Sequence, residues 1–400
     1  MLEHLNHHDH RAAGPRLGLF HLQDEAPGMV FWHPKGLALV RALEDAARRH
    51  TAAEGYQEVR TPQLLRQSIW ETSGHWQHFR QHMFAVQEDG QCAALKPVSC
   101  PCHIQIAGRG VLSYRDLPLR LCEFGLCHRD EPSGTLHGLF RLRQFTQDDG
   151  HVVCRDDQVA AEIDRFCRGA AAFYAALGFP DLMVALSTRP PQRAGEDALW
   201  DRAEVLLAEA AAGAGMRPTL QPGEGAFYGP KLELSLRDRL GRAWQCGTIQ
   251  LDYVLPRRFG LEYVDADGQR RAPALLHRAL YGSVERFLAI LLEHCGGALP
   301  AWLAPVQVLV APIGPTQQEA AVAALAELRG AGLRAELDDR SESLARRVAE
   351  AHANGVPCLA VIGAREAAAG TLALRERDGQ RVLPRSEAIT ALRERCAAPV

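Results

Sequence analysis

Residues 231–237 read KLELSLR, with Leu232, Leu234 and Leu236 on one side of an extended chain and Glu233, Ser235 and Arg237 on the other. That is the period-2 pattern of a half-exposed strand. WQCGTIQLDY (244–253) and LMVALS (182–187) read the same way, without a regular helix between each pair. A helix is predicted to start near Asp156, carrying Val159, Ile163, Phe166, Phe173 and Leu177 on one stripe. Together these predict an α+β region over about 25–299, an antiparallel sheet backed by helices. The pattern changes near Pro305. VQVLVAPIG is a buried-strand run, followed by an Ala-rich helical stretch from Thr316 to Arg329 and then LRAELDD. A second helix through Ala345–Ala353, the runs PCLAVIG and TLALRER, a DG turn and a last helix after Ser386 complete the series. Strands alternating with helices predict a small open α/β sheet covered on both faces, joined through the Pro-flanked LPAWLAP.

Composition adds mostly exclusions. At 400 residues, 47% hydrophobic and 23% charged, the chain is expected to be globular, with two or three domains. A net charge of -3 excludes a globally basic nucleic-acid binder and leaves a local basic face open. The 11 cysteines, odd in number and without repeated spacing, point away from a disulfide framework and toward a reducing compartment. No apolar run approaches the ~20 residues that span a bilayer, and the first residues are polar, so the expectation is a cytoplasmic protein without a membrane anchor. The His-rich opening MLEHLNHHDH is read as a frayed polar terminus rather than a metal site.

Two stretches carry chemistry. KPVSCPCH (96–103) sets two cysteines and a histidine within four positions, but no second close pair of ligands follows to close a tetrahedron. Either distant residues complete a metal site or there is none. Residues 123–151, EFGLCHRDEPSGTLHGLFRLRQFTQDDGH, read as strand, polar loop, strand. Arg129 and Glu131 precede a Pro-Ser-Gly turn, and Arg141, Arg143, Phe145, Gln147, Asp149 and His151 then alternate, as if all projected from one face of one strand. Such a row is either a solvated face or the floor of a nucleotide site, where cations take phosphates and a ring stacks on a base.

At this point the motifs carry a resemblance. FGLCHRDEPSG followed by FTQDDGH resembles motif 2 of class II aminoacyl-tRNA synthetases, and in particular of the threonyl-tRNA synthetases. GSVERF with Arg286 resembles motif 3, and EVRTPQLL with Pro62 resembles motif 1. EAPGMVFWH, AFYGPK, WQCGTIQLD, LHRALYGSVERF and WLAPVQV match the same family in order, from about Asp9 to the C-terminus.

The resemblance implies the rest. It divides the chain into an N-terminal extension (1–24), a catalytic domain of the class II synthetase fold (25–303) and a C-terminal α/β domain similar to an anticodon-binding domain (304–400). It implies a zinc ion held by Cys100, His151 and His277, with open positions for the amino nitrogen and hydroxyl of L-threonine. Valine is nearly isosteric with threonine, so a required hydroxyl ligand rejects it where shape alone does not. Arg129 matches the arginine on the ATP α-phosphate. Arg286 matches the one near the γ-phosphate and adenine, with Phe145 stacking on the base. Glu131, Arg141, Gln250 and Lys231 match further ATP-site residues, Asp149 and Tyr228 those holding the threonine amino group, and Gln147 and Gln245 pocket residues. His75 matches a histidine near the tRNA 3′ end, while Glu366 and Arg375 match base-reading positions for the anticodon. Magnesium is expected with ATP, a homodimer through motif 1, and two reactions: threonyl-adenylate formation, then transfer to threonine tRNA.

The chain also departs from the family pattern. Cys102 replaces a glycine beside the zinc ligand, Val98-Ser99 replaces Met-Asn, and Gly150 replaces alanine. In DDRSESLARRV, Arg340 is kept, while Ser343 and Ala345 stand in place of lysine and glycine. Cys102 is expected to pack rather than compete for zinc. The chain starts almost at the region resembling the catalytic domain, without the family's usual domain that hydrolyses seryl-tRNA, which predicts misactivation of serine. Three alternatives stay open at this point: a ligase delivering threonine to a carrier protein, an inhibitor-resistant duplicate, and a silent RNA-binding paralogue.

Overall fold

Lys231–Arg237 is a strand, as its alternation predicts, and the computed structural model sets it inside an eight-stranded sheet. In chain order the strands are β1 (Gln57–Glu58), β2 (Leu119–His128), β3 (Gln144–Cys154), β4 (Leu182–Ser187), β5 (Thr219–Gln221), β6 (Lys231–Arg237), β7 (Ala243–Asp252) and β8 (Ala274–Ala279). Their spatial order is β5-β4-β6-β7-β8-β3-β2-β1. All central pairs are antiparallel, and only the short edge strands β5 and β1 pair in parallel. The antiparallel α+β expectation therefore holds. One detail differs: helix Asp197–Gly213 lies between β4 and β6, where the sequence reading placed no regular helix.

The structure describes residues 9–88, 90–377 and 379–399. They form two compact units. The first combines 22–30 with 44–287 and contains the large sheet. Helix Val159–Ala176 follows a single 3-10 turn at Asp156–Gln158 and buries Val159, Ile163, Phe166 and Phe173 of the predicted stripe, whereas Leu177, its fifth member, is the half-buried C-cap just beyond the helix. Its Tyr174 hydroxyl donates to the Leu280 carbonyl, so this helix lies behind β7 and β8. On the other face a short helix, Cys100–Ala107, packs Ile104 and Ala107 with Val153, Leu255 and Leu275. Deleting one such buried aliphatic side chain costs about 2–5 kcal/mol, so this packing holds the Cys100 turn against the sheet.

The second unit combines the described residues of 1–21 and 31–43 with 288–399. Its five-stranded sheet runs Ala335–Leu337, Val308–Pro312, Cys358–Ile362, Thr371–Glu376, Gly379–Pro384. The first three strands are parallel and the last two antiparallel. One apolar layer contains Val308, Val310, Leu328 and Leu392, and the other contains Val306, Ala351 and Val361, so both faces are covered as expected. Ser343, one of the departures, accepts from the Arg346 N–H and caps helix Leu344–Ala353. Of the predicted DG turn, Asp378 lies outside the described residues, as do His4, His7 and His8 of the His-rich opening. The frayed-terminus expectation fails from Asp9 onward. Asp9 caps helix His10–Arg16, and fully buried His10 reaches the Glu293 carboxylate at 2.6 Å.

Candidate functional site

Register lays out the site. His151 on β3 pairs directly with His277 on β8, His277 with Gln250 on β7, and Gln250 with Lys231 on β6. These four side chains form one row across the sheet, because directly opposed residues in an antiparallel pair share a face. One row further along, Glu123 of β2 pairs with Asp149 of β3. Gln147 and Phe145 follow on β3, opposite Gly125 and Cys127. The alternation read from the sequence thus holds from Phe145 to His151. It fails at Arg141 and Arg143, because β3 begins only at Gln144. Both arginines lie in the preceding loop. Arg141 reaches back to Glu131, while Arg143 donates to the Glu131 carbonyl and lies away from the cavity lining.

Over this face opens a cavity of about 880 Å³, ample for a nucleotide and a small acid. Arg129, Glu131, Arg141, Phe145, Gln147, Tyr228, Lys231, Gln245, Gln250, Arg286 and His75 all line it. A bulge between β6 and β7 leaves Cys246 without a partner in the ladder, so Gln245 and Cys246 both face the cavity. The Arg129 guanidinium sits 5.0 Å from the Phe145 ring centroid and 5.6 Å from that of Phe79, with Nε donating to the Pro97 carbonyl. Arg286 Nε is buried without a hydrogen-bond partner among the described residues. Glu131 accepts from Arg141 at 2.8 Å, and Lys231 Nζ is 2.6 Å from Glu233. At the rim, Phe140 of the loop stacks on Trp244 at 4.0 Å.

Two glycines permit the local backbone. Gly74, at φ +85°, turns the chain into the short helix that begins at His75. At Gly229 a Cβ would collide with the Leu251 carbonyl, so only glycine lets the turn after Tyr228 lie on the sheet. His75 is buried, with Nδ1 at 2.8 Å from Ser73 Oγ. Burial, with His277 and Arg129 nearby, drives it down to about 3, so it acts as a neutral hydrogen-bonding group at ordinary pH. Tyr228 has its hydroxyl pushed well up, chiefly by burial, and its ring lies 5.1 Å from that of His277.

On the same face but outside the cavity lining, Cys100, His151 and His277 bring one ligand atom each within 4.8 Å of one another, all three buried. His151 Nε2 and His277 Nδ1 are 3.0 Å apart. Their outer nitrogens are occupied: His277 Nε2 lies 3.0 Å from Asp252, and His151 Nδ1 lies 2.8 Å from His103 Nδ1. Burial pushes the Cys100 thiol well up and His151 well down, so His151 already offers a neutral imidazole, while a bound divalent cation would have to displace the Cys100 thiol proton. The donor set, burial and outer-nitrogen partners all fit a zinc ion. Cys102 lies outside this group, is buried and faces Thr61 and Lys96. Asp149 accepts from the Ser99 N–H, and burial holds its carboxyl above the usual range.

The sequence reading passed over the support behind these residues. Lys96 donates to Thr61 and Glu123 at 2.9 and 3.0 Å, and Glu123 also faces His103. Burial favours the neutral Glu123 carboxyl, but hydrogen bonds from His103, Thr61 and Lys96 outweigh it and hold the group down at about 2. Lys96 and His103 are the two ends of KPVSCPCH, so the signal was present there. On the opposite sheet face, a side chain at position 150 would overlap the Arg278 guanidinium. Gly150 thus leaves room for that buried cation, which lies 3.8 Å from Asp148.

Glu285 precedes Arg286 and accepts from the Thr146 N–H with both oxygens at 2.9 Å. Burial raises its carboxyl to about 7. A raised acid destabilises the fold as pH climbs from the unfolded value near 4.5 through about 7, because the folded state holds the proton longer. Glu285→Gln should therefore match the wild type near pH 4.5 and exceed it above pH 7, by on the order of 3 kcal/mol. Denaturant midpoints at both pH values check this, and a gap that does not grow with pH contradicts it.

In the second unit, Glu366 Oε2 accepts from the Gly363 N–H and caps its own helix, Ala364–Ala369. Arg375 lies on strand Thr371–Glu376, opposite Leu359 and Gln380.

The tRNA synthetase class II core domain (G, H, P, S and T) matches residues 82–295, and the anticodon binding domain matches 307–395. The threonine–tRNA ligase of Rhodospirillum rubrum is 50% identical over 100% of this chain, and that of Halorhodospira halophila is 52% identical over 93%. The chain spans 62% and 58% of the length of those two relatives. Among solved structures, the RNA binding domain of threonyl-tRNA synthetase from Cryptosporidium parvum superposes with a TM-score of 0.95 at 38% identity, covering 97% of this chain and 98% of that one.

Proposed function

Because the chain belongs to the class II tRNA synthetase family, within its threonyl group, we propose that it activates L-threonine with ATP and transfers the threonyl group to the 3′ end of threonine tRNA. The observation that carries this reading is the buried Cys100–His151–His277 group beside a cavity lined by arginines. Zinc held there by these three side chains would act as a Lewis acid that selects a hydroxyl-bearing substrate. Asp149 and Tyr228 would hold the threonine ammonium beside it. Arg129 and Arg286 would take the phosphates of ATP, with its magnesium, while Phe145 faces the base. As threonine carboxylate attacks the α-phosphorus and pyrophosphate leaves, Arg129 meets the growing charge. Neutral His75 would then orient the tRNA ribose.

The reading extends to the finer points. The segment 25–303 would form the catalytic domain and 304–400 would read the anticodon through Arg375 and the Glu366 helix. Two copies would associate through the motif around Pro62. A cytoplasmic setting would keep buried thiols such as Cys127 and Cys154 reduced. No helix among the described residues is long and apolar enough to cross a membrane.

Threonine-dependent ATP–pyrophosphate exchange, followed by charging of threonine tRNA transcripts, tests the proposal. Serine keeps the hydroxyl and lacks one methyl, so it should support exchange about 10–200-fold less well than threonine. Exchange without charging would redirect the reading to another acceptor, and absence of exchange in zinc-replete protein would end it.

A further inference from the structure

His277 and His151 are supported differently. The outer nitrogen of His277 meets a carboxylate directly, at Asp252. That of His151 meets another imidazole, His103, whose ring stands edge-on at 86° with its centroid 4.7 Å away. Behind His103 lies Glu123, with Oε2 at 3.3 Å from Nε2. Register explains the extra ring. The β2 residue opposite His151 is Leu121, and Glu123 stands one row further, opposite Asp149. No carboxylate of β2 faces His151, so a ring from helix Cys100–Ala107 bridges the step.

Resting on the metal site read above, we propose that His103 is a positioning residue: anchored by Glu123, it fixes the tautomer of His151 and aims the Nε2 lone pair of His151 at the metal. The proton assignment follows from the chain of contacts. Glu123 already accepts from Lys96 Nζ, the Thr61 N–H and Thr61 Oγ1, at 3.0, 2.9 and 2.8 Å. Held as an anion by these donors, its Oε2 can only accept, so His103 Nε2 carries the proton. With that proton directed to Glu123, the other ring nitrogen of His103, Nδ1, is the position that accepts from His151 Nδ1–H. His151 Nε2 is left as a lone pair. On the other side Asp252 accepts from the Val254 and Leu255 N–H groups, so it too is an acceptor, and His277 Nε2 must donate to it. His277 Nδ1 is likewise bare. Two imidazole lone pairs thus face each other 3.0 Å apart in a buried site beside a thiol, an arrangement that repels unless a cation lies between them.

Zinc competition against a chromophoric chelator tests the assignment. Wild-type protein should bind one zinc per chain. His103→Leu, which removes the acceptor, should bind it about 10–100-fold more weakly. In His103→Asn the side-chain oxygen can take the place of Nδ1 and should restore most of the affinity. Equal affinity in folded His103→Leu and wild type would overturn the proposal while leaving the zinc reading intact. A wild type that binds no zinc would overturn both. If His103→Leu does not fold, long-range proton–nitrogen spectra of zinc-loaded wild-type protein decide. They should show His151 protonated at Nδ1 and His103 at Nε2, and the opposite tautomer of His103 would refute the relay.

Discussion

Cys100→Ala is expected to lower both zinc affinity and threonine-dependent exchange by more than about 100-fold, since changes one bond further from a metal already cost about 10–100-fold. Cys100 is the first residue of its helix and the only sulfur within 4.8 Å of the His151 and His277 ligand atoms among the described residues. Cys102, two positions on, points to Thr61 and Lys96 and offers no second sulfur. The larger effect is on selectivity. A site that requires a hydroxyl rejects the isostere lacking it by about 10⁴-fold or more, whereas a pocket relying on shape discriminates near 10²-fold. With the metal gone, threonine should lose its advantage and fall toward the valine rate rather than valine rising to meet it. Exchange assays with both amino acids, alongside bound-zinc measurements, check this. Full zinc and activity in Cys100→Ala would mean that Cys102 supplies the ligand. In that event Cys102→Gly, expected to bind zinc normally, should fail instead.

Much of this arrangement was legible because β-strands have a period of two. Phe145, Gln147, Asp149 and His151 were read onto one face from spacing alone, and pairing adds His277 and Gln250 to that face. Spacing carries no information on where a strand begins, so Arg141 and Arg143 were drawn into the row although the loop before Gln144 contains them. The metal group shows a second limit. Cys100, His151 and His277 lie far apart in the chain, and only the antiparallel register of β3 and β8 opposes the two histidines. Local spacing left the site open, and the family resemblance supplied its members. Support residues were hardest to read. A buried lysine such as Lys96 looks like any surface lysine in sequence, and its role emerges only when Glu123 and Thr61 converge on it. In the second unit, the Glu366 carboxylate illustrates the converse: a side chain read as facing a base spends one oxygen capping its own helix.

Arg129→Ala should reduce the turnover of ATP–pyrophosphate exchange by about 10²–10³-fold, the usual cost of removing one preorganised donor from developing charge. Three contacts preorganise this guanidinium: the faces of Phe79 and Phe145, and the Pro97 carbonyl that accepts from Nε. With Nε fixed toward the backbone, the two terminal amino groups form the edge offered to the cavity. Lysine offers a single ammonium on a flexible stem and cannot reproduce the planar fork or the stacking. Arg129→Lys should therefore recover less than about tenfold of the loss. In the proposed reading Asp149, Tyr228 and the metal group hold the threonine, so the KM for threonine should change little in either variant. Such a pattern, with turnover lost and KM kept, marks an interaction made mainly in the transition state. Should the KM for ATP rise instead while turnover holds, Arg129 binds the nucleotide equally before and during reaction, and the charge-stabilising role passes to Arg286, whose Nε has no partner among the described residues.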